Sequence, residues 1–202
     1  MSTPESGKPP SEPSPPRPEV RANGLLLRRF FKTLGVLRGE AVVEQVKQRA
    51  DPELLDKLTR GLIFTGVWYP VAWYRQLLGA ARAVTGEDAS LPWALAKRGV
   101  AGDMSAIYAA FMWVATPQYL FTKAAAIFNR YYDGGHVEVS GTKPGEATGH
   151  WVDCVGFDEN LWSATLGGVE VVLEAAGGHD INIRVLEGGG DSDSLVAQAN
   201  WL

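Results

Sequence analysis

The hydrophobic pattern of residues 133–202 changes period twice, and this narrows the possible folds more than any other feature of the chain. Trp162, Thr165, Leu166, Val169, Leu173 and Ala176 recur at spacings that place them on one face of a helix. Before this helix, Val137-Glu138-Val139 and His150 to Phe157 read as strands joined by a Gly/Pro turn. After it, Ile181, Ile183 and Val185 alternate with polar Asn182 and Arg184. Leu195, Ala197, Ala199 and Trp201 then alternate with Val196, Gln198 and Asn200 at period two. Two hairpins flanking an amphipathic helix predict a four-stranded antiparallel sheet with the helix across one face, an α+β module.

Helices precede the module. Leu26, Leu27, Phe30, Phe31, Leu34 and Leu37 form one helical face, and residues 40–50 make a second, short helix. Asp51-Pro52 starts a third, with Asp as cap and Pro at the first helical position. Trp68-Tyr69-Pro70 leads into a helix that carries Trp73, Tyr74, Leu77 and Leu78 toward Gly86. Ser90-Leu91-Pro92 opens another, expected to end between Gly99 and Gly102. Asp103 is the expected cap of a new helix with the stripe Met104, Ile107, Tyr108, Phe111, Met112 and Ala115. Thr116-Pro117 restarts the chain as a last helix running to Tyr131, and Asp133-Gly134-Gly135 switches it to hairpin.

Residues 1–22 are dense in Pro, Ser and Glu and predict a disordered tail dispensable for folding. Its PxxP spacings, Pro13 to Pro16 and Pro15 to Pro18, are common in any proline-rich segment. Residues 23–202 are expected to form one α+β domain, helical over 23–132 and hairpin–helix–hairpin over 133–202. Charge divides along the same line. Residues 24–132 hold 14 Lys/Arg against 8 Asp/Glu, whereas residues 133–202 hold 2 against 12. The basic residues are scattered and no groove-reading motif accompanies them, which argues against a nucleic-acid partner. No run of about 18 apolar residues predicts a membrane span. No basic start followed by an apolar core predicts a secretory signal, so a cytoplasmic location is expected.

Chemistry-bearing residues are sparse. Cys154 is the single cysteine, so neither an internal disulfide nor an all-cysteine zinc site can form. His136, His150 and His179 all fall in the sheet region. His150 and Cys154, four apart on one predicted strand, would stand about 13 Å apart at roughly 3.3 Å per residue, too far for a dyad. Glu170 and Glu174, one helical turn apart, read as a solvated face. The loop Gly188 to Ser194 lacks the terminal glutamate and spacing of a calcium loop and reads as a hairpin turn. Phosphate-binding glycine motifs and a nucleophile elbow are also missing. No catalytic residue and no metal site are therefore assigned.

Aromatic residues crowd the helical half. Trp68, Tyr69, Trp73, Tyr108, Phe111, Phe128 and Tyr131 are the candidates for lining a pocket that takes a flat apolar ligand; the competing role is core packing. Gly167-Gly168 lies mid-helix, where each glycine costs about 1 kcal/mol relative to alanine. The pair implies close approach to the sheet or to another chain. With Trp201 on a terminal strand expected at a sheet edge, it forms the candidate interface of a homodimer.

The order of landmarks resembles a family of uncharacterised myxobacterial paralogues. It runs Arg60-Gly61-Leu62, Trp68-Tyr69-Pro70, Trp73-Tyr74, Thr116-Pro117, Phe128, Tyr131-Tyr132-Asp133-Gly134-Gly135 and Cys154-Val155-Gly156-Phe157. The resemblance covers residues 23–202 and implies no particular activity. More distantly, helices followed by hairpin–helix–hairpin is similar to the heme nitric-oxide/oxygen-binding domains and the vinyl-reductase-type ligand-binding domains. That likeness implies a small-molecule sensor. Those heme domains use a helix-borne histidine and a Tyr-x-Ser-x-Arg motif; this chain has no histidine before His136 and no such motif. Zinc-bearing vinyl-reductase-type domains use several cysteines. No cofactor is therefore expected. Two readings stand: a non-catalytic, cytoplasmic, heme-free module that senses a small apolar ligand or relays a signal to a protein partner, or a structural adaptor that acts through protein contacts alone.

Overall fold

The computed structural model describes residues 17–107 and 123–202. Strand β1 (Arg21–Asn23) leads into helices α1 (Gly24–Arg38), α2 (Glu40–Lys47) and α3 (Pro52–Thr59). Strand β2 (Trp68–Pro70) then precedes α4 (Val71–Thr85), α5 (Ser90–Ile107) and the short α6 (Ala124–Phe128). The rest is β3 (His136–Lys143), β4 (Glu146–Val152), α7 (Glu159–Ala175), β5 (Asn182–Gly188) and β6 (Leu195–Asn200). The architecture is the expected α+β one: a helical first half, then a four-stranded antiparallel sheet in the order β3-β4-β6-β5. Among the described residues no helix is long and apolar enough to cross a membrane.

Local sequence explains most boundaries. Asp51 accepts hydrogen bonds from the Glu53 and Leu54 amides, with Pro52 at the first helical position of α3. Gly86 stops α4 in the left-handed conformation that glycine adopts without strain. Asp158 caps α7 by accepting from the Leu161 amide. Along β6 the expected alternation is exact in burial, with Leu195, Ala197 and Ala199 inside and Trp201 continuing inward just beyond the strand. The broadest helix–helix contact joins α5 and α7.

Several expectations need correction. The helix opening at Ser90 does not end at Gly99–Gly102; it runs on to Ile107, so Asp103 is not a cap. The second strand is not His150 to Phe157. It ends at Val152, because Asp153 turns to a φ of 57° and folds Cys154 back into the interior. Ordered packing starts before residue 23. Arg21–Asn23 pairs antiparallel with Trp68–Pro70, the Val20 amide bonds the Val155 carbonyl at 2.9 Å, and Val20 and Ala22 are buried. Arg17 makes ion pairs with Asp153 and Asp193. Residues 17–22 thus make contacts with the rest of the described chain. Finally, β6 is not an edge: it lies between β4 and β5.

Candidate ligand cavity

The sheet's inner face is paved with small side chains. Across β4 and β6, Ala147 pairs with Ala199 and Gly149 with Ala197. Trp151 lies flat over its own strand: a Cβ on Gly149 would meet the indole at 2.5 Å. Small residues on facing positions leave interior space unfilled unless the opposite layer supplies bulk. Here that layer is α7, which presents Ala164, Thr165 and Gly168, backed by Phe30 of α1 and by Leu95 and Val100 of α5. The result is an apolar cavity of about 150 Å³ between the helices and the sheet.

Of the seven aromatic candidates, Phe128 and Tyr131 line this cavity. Trp68, Tyr69 and Trp73 do not; they sit around the β1–β2 pair. Tyr69 stacks on Trp73 at 5.9 Å, its hydroxyl donating to the Leu62 carbonyl and accepting from the Phe64 amide. Tyr108 and Phe111 lie outside the described residues. Tyr74 and Tyr132, two further aromatics of the helical half, line it as well, and so does Thr165, which sequence reasoning did not offer for a pocket. Phe128, Tyr132, Phe157 and Trp162 form a continuous aromatic cluster, with ring centroids 5.1, 4.9 and 4.6 Å apart in succession.

Two phenols of the cavity are held neutral by burial. Burial pushes the Tyr74 phenol well above its ordinary range. The Tyr132 phenol is raised mainly by burial, with the neighbouring Thr165 hydroxyl opposing the rise. Arg29, also at the wall, donates to the Gly99 carbonyl at 3.2 Å, and burial lowers its guanidinium.

The remaining reactive groups lie elsewhere. The exposed His136 ring meets Glu138 at 3.2 Å, His150 meets the Ser140 hydroxyl at 3.0 Å, and His179 is exposed. Cys154 is fully buried, and burial pushes its thiol up to about 12. Among the described residues no group of three or more His, Cys, Asp or Glu side chains is placed to hold a metal ion. Glu170 and Glu174 are not simply a solvated face. Lys97 of α5 reaches them at 2.8 and 2.7 Å, and the Trp93 indole donates to Glu170 at 2.5 Å, clamping α5 to α7.

The candidate interface residues each meet their own chain. Gly167 faces the backbone of α5 at Trp93, and Gly168 faces Val100. Trp201 packs with Ala147, Leu173 and Ala199.

No protein-family model matches the sequence, and no curated protein resembles it in sequence. Solved structures do share its fold. A mutant of the Fe(II) unliganded H-NOX protein from K. algicida superposes with a TM-score of 0.69 at 13% identity, over 89% of this chain and 96% of that one. A mutant of T. tengcongensis H-NOX gives 0.65 at 13% identity over 89% and 97%. An oxygen-binding H-NOX domain related to soluble guanylate cyclases gives 0.57 at 12% identity over 89% and 94%. The chain has the H-NOX fold. The described lining of its cavity contains no histidine, cysteine or methionine.

Proposed function

We propose that this chain is a non-catalytic, cytoplasmic sensory module that binds a small apolar molecule, without heme, between its helices and its sheet. The observation that carries the reading is the apolar cavity of about 150 Å³ over a floor of alanine and glycine. An engineered cavity of about that size, lined by aliphatic and aromatic side chains, stays dry and takes up benzene. The cavity thus sets the ligand's scale at one small ring or a short branched chain. Occupancy reaches the surface through α7, which forms one cavity wall and is clamped to α5 by Lys97 and Trp93. The absence of histidine and carboxylate from the described lining supports a binding rather than a catalytic role.

The test is native mass spectrometry of freshly purified protein beside Ala197→Leu, which adds bulk to the cavity floor. A reproducible small-molecule adduct on the wild type, lost in the variant, is the expected result. A clean mass for both, together with no uptake of added benzene or toluene in solution, favours the adaptor reading instead. A heme-type absorption band that shifts with carbon monoxide would overturn the heme-free part of the proposal.

A further inference from the structure

Among the described residues that line this mainly apolar cavity, Arg29 is the one charged side chain. It is half-buried on α1, one helical turn before Thr33, which also lines the cavity. Its guanidinium is held at the wall: one Nη donates at 3.2 Å to the carbonyl of Gly99 on α5, another lining residue. Space lies beside that contact, since a Cβ on Gly99 would meet no neighbouring atom of the described residues within 4 Å. Burial lowers the guanidinium most; Tyr131 opposes this, and the nearby Arg130 charge adds to the lowering. A partly desolvated positive charge with a like charge nearby favours a negative group beside it.

We infer that the ligand is a small amphipathic carboxylate, its apolar body held in the cavity and its head paired with Arg29 where α1 meets α5. This deepens the ligand-binding reading and rests on it. A guanidinium carries five N–H donors in a fixed fork, which suits it to serve a backbone carbonyl and a carboxylate together. A cationic head is disfavoured, because no carboxylate lines the described cavity and Arg29 would repel it. The volume of about 150 Å³ limits the body to one small ring or a short branched chain. Arg29 is thus the specificity-determining residue, setting carboxylates above hydrocarbons of the same shape.

The experiment titrates the full chain at neutral pH with benzoate, toluene and benzylamine, in the wild type, Arg29→Gln and Ala197→Leu, read by calorimetry or ligand-observed NMR. Benzoate and toluene share a ring and differ in the head, so the ratio of their affinities separates the head-group contact from the cavity. Arg29→Gln is expected to lower that ratio about ten- to a hundredfold, the effect of one charge-assisted hydrogen bond. Ala197→Leu is expected to abolish binding of both, and benzylamine is expected not to bind. The inference fails, and toluene uptake upholds the cavity reading, if Arg29→Gln leaves the ratio unchanged or if the wild type takes toluene but no benzoate. Benzylamine binding as tightly as benzoate also overturns it, and this wild-type comparison decides even where Arg29→Gln does not fold. Benzoate that still binds Ala197→Leu sits on the surface instead of in the cavity, which overturns it too. If neither benzoate nor toluene binds the wild type, both readings fail together.

Discussion

Gly167 lies against the backbone of Trp93: a methyl group there would stand 3.0 Å from both the Cα and the carbonyl carbon, and closer still to the oxygen. This contact is what offsets a helix-interior glycine, and it joins α7 to α5 inside one molecule. Gly168 differs, since a methyl there would meet only a Val100 methyl at an ordinary 3.5 Å. Gly168→Ala is therefore expected to stabilise by about 1 kcal/mol through helix propensity. Gly167→Ala gains the same propensity but must push rigid backbone apart, and is expected to destabilise by about 1–3 kcal/mol. Denaturant midpoints of the two variants check the contrast, and equal effects would refute the close contact.

Cys154 makes the domain sensitive to alkali. Its folded thiol is raised to about 12 by burial, against about 8.5 in an unfolded chain. A raised acid pKa contributes stability that is complete below the unfolded value and is lost as pH climbs toward the folded one. Between about pH 8.5 and 12 the unfolded state sheds a proton that the folded state keeps, costing about 1.4 kcal/mol per pH unit. Cys154→Ala should flatten that part of the stability profile. Iodoacetamide at pH 8.5 should leave the folded thiol unmodified; rapid native labelling would contradict its burial.

The segment before residue 23 contributes to folding. Val20 is buried against Gly134, where a Cβ would lie 3.1 Å from a Val20 methyl. Val20→Ala is expected to cost about 1–2 kcal/mol, shifting the melting temperature by roughly 2–8 °C at this chain length. Removing residues 1–22 should cost more, because the β1–β2 pairing and Ala22 are lost with it. An unchanged melting temperature on that deletion would show that the strand pair contributes nothing.

Trp201 separates core from interface. It is 8% exposed and packs on Leu173 and Ala199 of its own chain. Trp201→Lys is expected to destabilise by about 3–5 kcal/mol, with the solution mass unaltered. Light scattering beside thermal melting checks this; a fall in mass at constant melting temperature would instead make Trp201 a dimer contact.

What the sequence made legible was whatever one short segment decides for itself. The stripe from Trp162 to Leu173, the cap at Asp51-Pro52, the stop at Gly86 and the alternation of β6 all depend on neighbours a few residues away. What it hid depends on distant partners. Arg21–Asn23 is a strand only because Trp68–Pro70 lies beside it, 47 residues on. Glycine propensity argued for a break at Gly99–Gly102, and packing of α5 along α7 overrode it. Val152 ends its strand because Asp153 adopts a left-handed turn that places Cys154 in the core. The cavity was hidden for a related reason: it is the space that Ala147, Gly149, Ala197 and Ala199 do not fill, and sequence shows side chains rather than gaps.

The position of β6 between β4 and β5 also orders the assembly of the domain in time. On a chain emerging from a ribosome, β3 and β4 can pair as a hairpin early, but β5 appears with no neighbour to bond. Only when residues 195–200 arrive do both halves of the sheet gain their shared centre. Until then the open edge of β4 is a site for mispairing with a neighbouring nascent chain. The vulnerable interval closes once β6 pairs with both β4 and β5.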